Sequence, residues 1–151
     1  MESFESIKGK RFLALDWGEK FIGVATYHVG SDPMILAWGR LKGGTFEAVW
    51  AQLRKVLDDE SIEEVVVGVP FLTDGKAGSM THKARQFLND LVKVCPLRVH
   101  EQDETLSTFE AEERMKRSPR YNFQVNLSEI DAVSATVILE DFLRRHGHTQ
   151  L

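Results

Sequence analysis

The sequence predicts an α/β fold in which a five-stranded mixed sheet carries helices on both faces. Short strand-like segments separated by turns come first, and amphipathic helical segments alternate with strands after residue 45. Between them, residues 64–69 (EVVVGV) are almost continuously apolar. Such a run is typical of a strand that is buried on both faces and therefore parallel to a neighbour.

The first two predicted strands form a hairpin. One runs from Arg11 to Asp16, and Phe21 to Tyr27 folds back beside it. Gly18 permits the turn, and Gly23 lets another backbone approach closely. Asp16 ends an apolar central strand, where an unpaired charge is costly. An aspartate near a glycine is also common in hairpin turns for purely structural reasons. This stretch alone therefore leaves the structural and functional interpretations of Asp16 equally open.

The next predicted elements are a third strand, a helix and a buried strand. After a turn at residues 30–33, residues 34–41 form the third antiparallel strand. Thr45 is expected to cap a helix over residues 46–58, because the apolar residues of this segment share one face. The buried strand at 64–69 and a loop at 70–78 follow.

The remaining segments continue the alternation. A helix containing Ala84 and Leu91 ends before Pro96, and residues 97–100 form the fifth strand. Ser107 and Glu110 predict a capping box for a helix that ends near residue 116. A basic segment at 114–123 is expected to be a mobile loop, and Ser128 is expected to cap the last helix.

Connection rules turn this order of elements into a topology. Right-handed crossovers place strand four beside strand one and strand five outside it, which gives the order 3-2-1-4-5. This is the element order of the ribonuclease H-like fold. Ligands of open α/β sheets bind outside the carboxyl ends of the strands. Asp16 and the pair Asp103–Glu104 lie at that rim, and Asp131, in the first turn of the last helix, can cover it.

Length and composition limit the number of domains and the expected cellular location. The chain has 151 residues, a formal net charge of −4 and one cysteine, Cys95. By length we expect a single domain over residues 1–151 with its core at 11–143, and no internal disulfide is possible. The amino terminus lacks a basic start followed by an apolar core, so we expect a reducing, cytoplasmic location and no membrane association. The negative net charge argues against extensive non-specific binding along nucleic acid.

Four motifs in this chain resemble those of the YqgF (RuvX) family over residues 11–143. They are Asp16-x-Gly18-x-Lys20-x-Ile22-Gly23-Val24; Val67-Gly68-Val69-Pro70 with Asp74-Gly75; Asp103-Glu104-x-Leu106-Ser107-Thr108; and Ile130-Asp131-x-x-Ser134-Ala135. The resemblance implies a nuclease, either a Holliday junction resolvase or an enzyme that processes the 5′ end of precursor 16S ribosomal RNA during ribosome biogenesis. It also assigns catalytic positions to Asp16, Glu104 and Asp131. Supporting positions are Gly18, Lys20, Asp103 and Ser134.

The chain also departs from the family pattern. Thr105 stands where the family usually carries an arginine, and Glu19 and Leu72 replace residues that are common there. Positive charge near the rim is therefore reduced. Phosphate groups could instead be held by Lys20, by Lys83 and Arg85, or by the basic segment.

Phosphodiester hydrolysis explains why carboxylates would converge at one rim. Two divalent ions roughly 3.5 to 4 Å apart can neutralise the charge on the attacking, leaving and non-bridging oxygens. Carboxylate oxygens favour Mg²⁺ or Mn²⁺. Asp16 would bridge both ions, while Glu104 and Asp131 would each bind one. Strands one and five are two spacings apart, roughly 9.6 Å, so Glu104 has to lean inward to reach a shared ion.

Basic and aromatic side chains suggest where nucleic acid binds. An aromatic ring offers a stacking face for an unpaired base, and cations track the phosphate backbone. This pattern favours single-stranded or tail-bearing RNA, such as the 5′ leader of precursor 16S ribosomal RNA, over a DNA junction. By base rate, such a segment is more often a solvated surface. The candidate binding residues are Lys83, Arg85, Arg114, Lys116, Arg117, Arg120, Tyr121 and Phe123.

Other functions stay open on the sequence. A junction resolvase would need paired sites and hence a homodimer. A non-catalytic RNA- or ribosome-binding module fits the absence of the arginine at Thr105, whereas an ATP-dependent phosphotransferase would require a second domain of this kind. Asp131 could simply interact favourably with the dipole of the last helix, and Asp103 with Glu104 could form a solvated turn. His146 and His148 give only a weak metal signal.

Overall fold

A computed structural model describes residues 4–104 and 107–148. Thr105 and Leu106, which belong to the third family motif, lie outside the described residues. The strands are β1 (Arg11–Asp16), β2 (Phe21–His28), β3 (Leu36–Lys42), β4 (Glu64–Val69) and β5 (Arg98–Asp103). The helices are α1 (Phe46–Asp59), α2 (Ser79–Val94), α3 (Ser107–Lys116) and α4 (Ile130–Arg145). Short 3-10 helices span Phe4–Ser6 and Pro119–Tyr121.

The sheet has the predicted order β3-β2-β1-β4-β5. β1 pairs antiparallel with β2, which pairs antiparallel with β3, whereas the β1–β4 and β4–β5 pairs are parallel. β4 is buried along its whole length, as expected for a strand covered on both faces. The predicted mixed sheet is confirmed, and the carboxyl ends of β1, β4 and β5 share one rim.

Helices cover both faces of the sheet, and the two faces divide the core. Side chains alternate along β1, so Leu13 and Leu15 pack under α1 and α2, while Phe12 and Ala14 pack under α4. α4 crosses this second face of the sheet, and nine of its sixteen residues are buried. Among the described residues, no helix is both long enough and apolar enough to cross a bilayer.

β3 and β5, the two edge strands, differ from their predicted bounds. β5 extends to Asp103 instead of ending at His100, because its backbone keeps pairing with β4 as far as Val69 opposite Asp103. Pairing through the backbone does not require apolar side chains, so the polar residues 101–103 gave no sequence signal that the strand continues. β3 begins at Leu36, two residues later than predicted, and Met34 is exposed.

The predicted helix caps had mixed outcomes. Thr45 does cap α1, since its Oγ1 accepts a hydrogen bond from the Ala48 N–H at 3.2 Å. The prediction for Ser128 was wrong: α4 begins after Glu129, and the Ser128 hydroxyl donates to Asn126 Oδ1 at 2.7 Å. Asn126 offers a nearer acceptor within its own turn, which competes with capping.

The segment around residue 107 also differs from the prediction. Ser107 lies inside α3 as a buried residue, and the Glu110 carboxylate accepts from Arg114 at 3.0 Å instead of completing a capping box. The basic segment 114–123, predicted as a mobile loop, contains the end of α3 followed by the 3-10 helix at Pro119–Tyr121. Ser118 caps that short helix by accepting from the Arg120 N–H.

Candidate active site

Asp16 lies at the end of the central strand β1, between two glycines. Its partners in register are Gly23 on β2 and Gly68 on β4. Because side chains alternate along a strand, Asp16 points to the same face as Phe12 and Ala14, the face that α4 covers. Its two neighbours in the sheet therefore carry no side chains where α4 approaches.

The glycines let α4 rest directly on the sheet. A Cβ on Gly23 would lie 1.9 Å from the backbone oxygen of Asp131, and a Cβ on Gly68 would lie 2.3 Å from Cδ1 of Ile138. The first contact is with backbone, which cannot move aside as a side chain can. The close approach at Gly23 thus positions the first turn of α4, with Asp131, beside Asp16.

Asp16 and Asp131 form a pair of like charges. Burial, and second the nearby Asp131, raise the pKa of Asp16 to about 7. Burial also raises the pKa of Asp131, although Arg40 opposes that shift. The guanidinium of Arg40 lies 3.9 Å from Asp131 Oδ2 and stacks over the ring of Phe21 at 3.6 Å from its centroid. A cation is thus already present at one edge of the site, although it does not neutralise Asp16.

Glu104 follows β5 and is buried. Its N–H donates to the backbone oxygen of Val69 at 3.0 Å, which continues the β4–β5 pairing by one residue. Burial comes first among the causes that raise the pKa of Glu104 to about 9, followed by a hydrogen bond with Asp141 and by the charges of Asp141, Asp103 and Asp16. Glu104 is therefore protonated at neutral pH and hydrogen-bonded to Asp141.

The path of α4 explains why two acidic pairs exist. Asp131 and Asp141 are ten residues apart, which is about 15 Å along a helix. The start of α4 lies over β2, while near its end Arg145 donates to Gln102 Oε1 on β5 at 2.7 Å. α4 therefore brings one acid to β1 and another to the end of β5, and Asp16 interacts electrostatically with both Asp131 and Glu104.

The donor set fits a divalent cation by its chemistry. Carboxylate oxygens are what Mg²⁺ and Mn²⁺ prefer. Burial, and after it the neighbouring acids, raise the pKa values of Asp16 and Glu104, so a cation bound there would take the place of protons. In the arrangement described, no group of three or more His, Cys, Asp or Glu residues stands close enough together to hold a metal. Glu104 is hydrogen-bonded to Asp141, and the charge of Asp16 also acts on it.

The predicted supporting residues lie in different surroundings. A Cβ on Gly18 would lie 2.6 Å from the backbone oxygen of Phe21, so the tight turn requires glycine. Lys20 is exposed, and its carbonyl accepts from the Gly43 N–H at 2.7 Å. Asp103 is exposed at the end of β5. Ser134 is buried one turn after Asp131, and its Oγ has no hydrogen-bond partner among the described residues.

Most of the predicted cationic residues are paired with acids. Lys83 contacts Glu19 and lowers the pKa of that carboxyl. Arg85 contacts Glu101 at 3.2 Å. Arg114 forms two bonds with Glu140, at 2.9 and 3.2 Å, besides its bond with Glu110. The remaining contacts are longer: Lys116 with Glu113 at 3.6 Å and Arg117 with Glu110 at 3.6 Å.

The two aromatic residues of the basic segment differ in exposure. Tyr121 is half-buried and packs against the cluster of Ala111, Met115 and Val133. The Arg120 guanidinium stands 5.6 Å from the centroid of the Tyr121 ring. Phe123 is 60% exposed. Asn122 and Phe123 both have positive φ values, 54° and 59°, which is uncommon for residues other than glycine. The turn therefore holds a phenylalanine in solvent at some conformational cost.

Sequence reasoning missed two residues of the site, Arg40 and Asp141. Arg40 is opposite Gly23 in the β2–β3 register, so a correct register would have placed it near Asp131. Asp141 follows Glu140 in α4, and no local pattern distinguishes it, because its place beside Glu104 depends on the path of that helix across the sheet. A cavity of about 530 Å³ opens beside Glu104, lined by Asp103, Glu104, Glu110, Arg114, Val137, Asp141 and Arg144.

Comparison with known proteins relates this chain to a family. The family model described as "RuvX: Holliday junction resolvase" matches residues 10–145. A protein of Shewanella oneidensis named "Putative pre-16S rRNA nuclease" is 32% identical over 142 residues, which cover 93% of this chain and 98% of that protein. A protein of Koribacter versatilis with the same name is 38% identical over 140 residues, 91% of this chain and 88% of that one.

Solved structures agree on the fold. RuvC of Thermus thermophilus superposes with a TM-score of 0.56 and 12% sequence identity, covering 89% of this chain and 96% of that protein. At this identity the likeness establishes a common fold, the ribonuclease H-like arrangement that the strand order predicts.

Proposed function

The chain belongs to the RuvX family, and from this membership together with the acidic rim we propose that it is an endonuclease that hydrolyses phosphodiester bonds in RNA. Its proposed substrate is the 5′ end of precursor 16S ribosomal RNA. Precursor 16S ribosomal RNA is the substrate that appears in the names of the relatives from Shewanella oneidensis and Koribacter versatilis. We further propose that Mg²⁺ or Mn²⁺ is required.

The observation that carries the proposal is Asp16 between Gly23 and Gly68, with Asp131 held against it. A structural carboxylate at a buried strand end would normally be paired with a cation or be hydrogen-bonded. Here burial, and second the charge of Asp131, raise the pKa of Asp16 to about 7. An arrangement that costs stability in this way is typical of a catalytic site.

Asp16, Glu104 and Asp131 are the residues that would hold the divalent cation. Bound there, the cation would supply positive charge to the phosphate oxygens as the bond to the leaving group breaks. Asp16, on the rigid central strand, fixes where the scissile phosphate must lie. Glu104 has to turn from Asp141 and give up its proton before it can contribute a carboxylate to the cation site.

Arg40 has a proposed role beside Asp131. Its guanidinium is held over Phe21 and is partly exposed, so it can reach a phosphate oxygen without leaving the edge of the site. Guanidinium groups suit phosphate because they offer several N–H donors in one plane. Arg40 thereby supplies positive charge that the sequence lacks at Thr105.

Charge distribution favours an RNA single strand over a four-way DNA junction. Affinity for duplex DNA depends strongly on unpaired cations that neutralise phosphates. In this chain the net charge is −4, and Lys83, Arg85 and Arg114 are engaged by carboxylates. Exposed aromatic rings, such as that of Phe123, suit unstacked bases.

The test compares two labelled substrates at equal metal and salt: a single-stranded RNA carrying the 5′ leader of precursor 16S ribosomal RNA, and a four-way DNA junction. We expect metal-dependent cleavage of the RNA at a higher rate, and a loss of at least about a hundredfold in kcat for Asp16→Asn. Asp58→Asn, at an exposed position on α1, is the matched control.

Two outcomes would contradict the proposal. Undiminished cleavage by purified Asp16→Asn would remove the active site from the rim. Symmetric, paired nicking of the junction at rates above RNA cleavage would favour a resolvase, which would act as a homodimer because two strands must be cut together.

A further inference from the structure

A second cavity, which we call the Trp17 pocket, opens on the other face of the sheet from Asp16. It has a volume of about 440 Å³. Resting on the proposed function, we propose that this pocket binds one unpaired nucleobase of the strand that is cut. Its lining residues are Trp17, Glu19, Gly44, Phe46, Val49, Lys83, Gln86, Phe87 and Asp90.

The walls of the Trp17 pocket are aromatic. Phe46 of α1 and Phe87 of α2 stand with ring centroids 5.9 Å apart at an interplanar angle of 57°. Trp17 packs against the same cluster from the end of β1, and Val49 is buried at the base. Every nucleobase has a flat face that stacks on such rings, so walls of this kind accept a base without selecting its sequence.

The mouth of the Trp17 pocket is polar and carries charges of both signs. Lys83 is paired with Glu19 on one side. On the other side, Gln86 Nε2 donates to Asp90 Oδ1 at 3.0 Å. The edge of a base presents hydrogen-bond donors and acceptors together, and this rim offers partners for both. A purely apolar ligand would leave the charged groups without new partners as it covered them.

The position of the pocket ties it to the substrate strand. Trp17 directly follows Asp16, and its side chain packs against the core cluster under α1 and α2, on the opposite face of the sheet from α4. A nucleic-acid strand that passes over the end of β1 can therefore set a phosphate at Asp16 and turn an adjacent base to the other side, into the pocket. A duplex could not do so without unpairing, so the pocket favours single-stranded substrates.

The first experiment uses Trp17 as a reporter. A Trp38→Phe, Trp50→Phe variant leaves Trp17 as the one tryptophan, since the chain has three. Asp16→Asn is added to prevent cleavage. The probe is a short single-stranded RNA, intact or with an abasic nucleotide at each position in turn. We expect the intact RNA to quench Trp17 fluorescence, and one abasic position next to the cut to abolish quenching and weaken binding about tenfold.

A second experiment blocks the pocket in the active protein. Gln86 is exposed at the mouth, so Gln86→Phe should cover the entrance without disturbing the core. Asn89→Phe adds the same ring to an exposed position of α2 that does not line the pocket. We expect Gln86→Phe to raise KM about tenfold with little change in kcat, and Asn89→Phe to behave as wild type.

The outcomes separate this proposal from the proposed function. If the RNA is cut, but no abasic position restores fluorescence and Gln86→Phe behaves like Asn89→Phe, the pocket proposal is overturned and the proposed function stands. If one abasic position abolishes the quenching of Trp17, but the wild type never cuts the RNA, the pocket proposal is supported and the proposed nuclease function is overturned. RNA that is neither bound nor cut overturns both.

Discussion

At the scale of single residues, the site consists of acids that are held close to one another. Asp16 has glycine on both sides in the sheet and Asp131 in front of it, while Glu104 meets Asp141. Burial first, and the neighbouring acids second, raise the pKa values of Asp16 and Glu104 and so disfavour their ionised forms in the folded state. The free protein therefore binds protons at its rim, and a divalent cation would have to displace them.

This arrangement predicts how stability depends on pH without metal. A carboxyl whose pKa is raised on folding binds more protons in the folded chain than in the unfolded one, so the free energy of unfolding falls as pH rises between the two values. For Glu104 that window runs from about 4.5 to about 9. We expect chemical denaturation to give lower stability at pH 9 than at pH 6, and a smaller difference in Glu104→Gln.

Asp58→Asn, whose carboxyl is exposed on α1, should retain the wild-type pH dependence and is the control. Equal slopes for Glu104→Gln and the wild type would show that Glu104 does not hold a proton in the folded protein.

Sequence motifs identified the acids at the rim but not how they pair. Asp16 could be predicted because an apolar strand ends on it. Asp141 and Arg40 could not, since their places depend on the diagonal path of α4 and on the register of β3. Both are long-range properties that no local pattern in the chain encodes.

At the scale of elements, the contact between α4 and β2 depends on Gly23. In Gly23→Ala the new methyl group would lie 1.9 Å from the Asp131 backbone oxygen, so the start of α4 must move away from Asp16. We expect a loss of roughly 1 to 3 kcal/mol in stability, the usual cost of overpacking, and a clear loss of cleavage. Thermal unfolding and cleavage assays measure the two effects.

Gly78→Ala is the matched control. Its Cβ would meet only the side chain of Leu72, at 3.0 Å, and its φ of −109° suits alanine. Wild-type cleavage by Gly23→Ala would mean that the position of Asp131 beside Asp16 is not required.

The elements after β5 predict which cations bind nucleic acid. Arg114 joins α3 to Glu140 of α4 and is expected to be structural. Lys116, Arg117 and Arg120 are exposed and have only longer or stacking contacts. Changing these three to glutamine should weaken binding of single-stranded RNA and flatten its dependence on salt by about 2 in the log–log slope.

Binding measured by fluorescence anisotropy across a salt series tests this expectation. Arg54→Gln with Lys55→Gln, on α1, removes exposed charge from another part of the surface and should leave the slope nearly unchanged. If the two variants have the same slope, the basic segment is a solvated surface.

Element boundaries were predictable where burial decides them. β4 was predicted to the residue, because a continuous apolar run has sharp ends. β5 and the start of α4 were not: an edge strand tolerates polar side chains, and Ser128 had a closer partner in Asn126. Strand order, by contrast, followed from general rules of connection and was correct.

At the scale of the whole molecule, one sheet collects acids from three segments that are far apart in the chain. β1 contributes Asp16, the end of β5 contributes Glu104, and α4 closes over both with Asp131 and Asp141. Repulsion among these groups opposes folding. A ligand that binds only the folded chain and neutralises them should therefore stabilise the entire domain.

The final prediction follows from that linkage. Mn²⁺ or Mg²⁺ at about a hundred times its dissociation constant should add about 2.7 kcal/mol of stability, or roughly 5 to 10 °C in Tm for a chain of this size. The shift should be larger at pH 8 than at pH 6, because protons compete for Asp16, whose pKa is about 7, and for Glu104, whose pKa is about 9. Asp16→Asn should lose most of it, whereas Asp58→Asn should keep it. An equal shift in both variants would place the cation elsewhere on the protein.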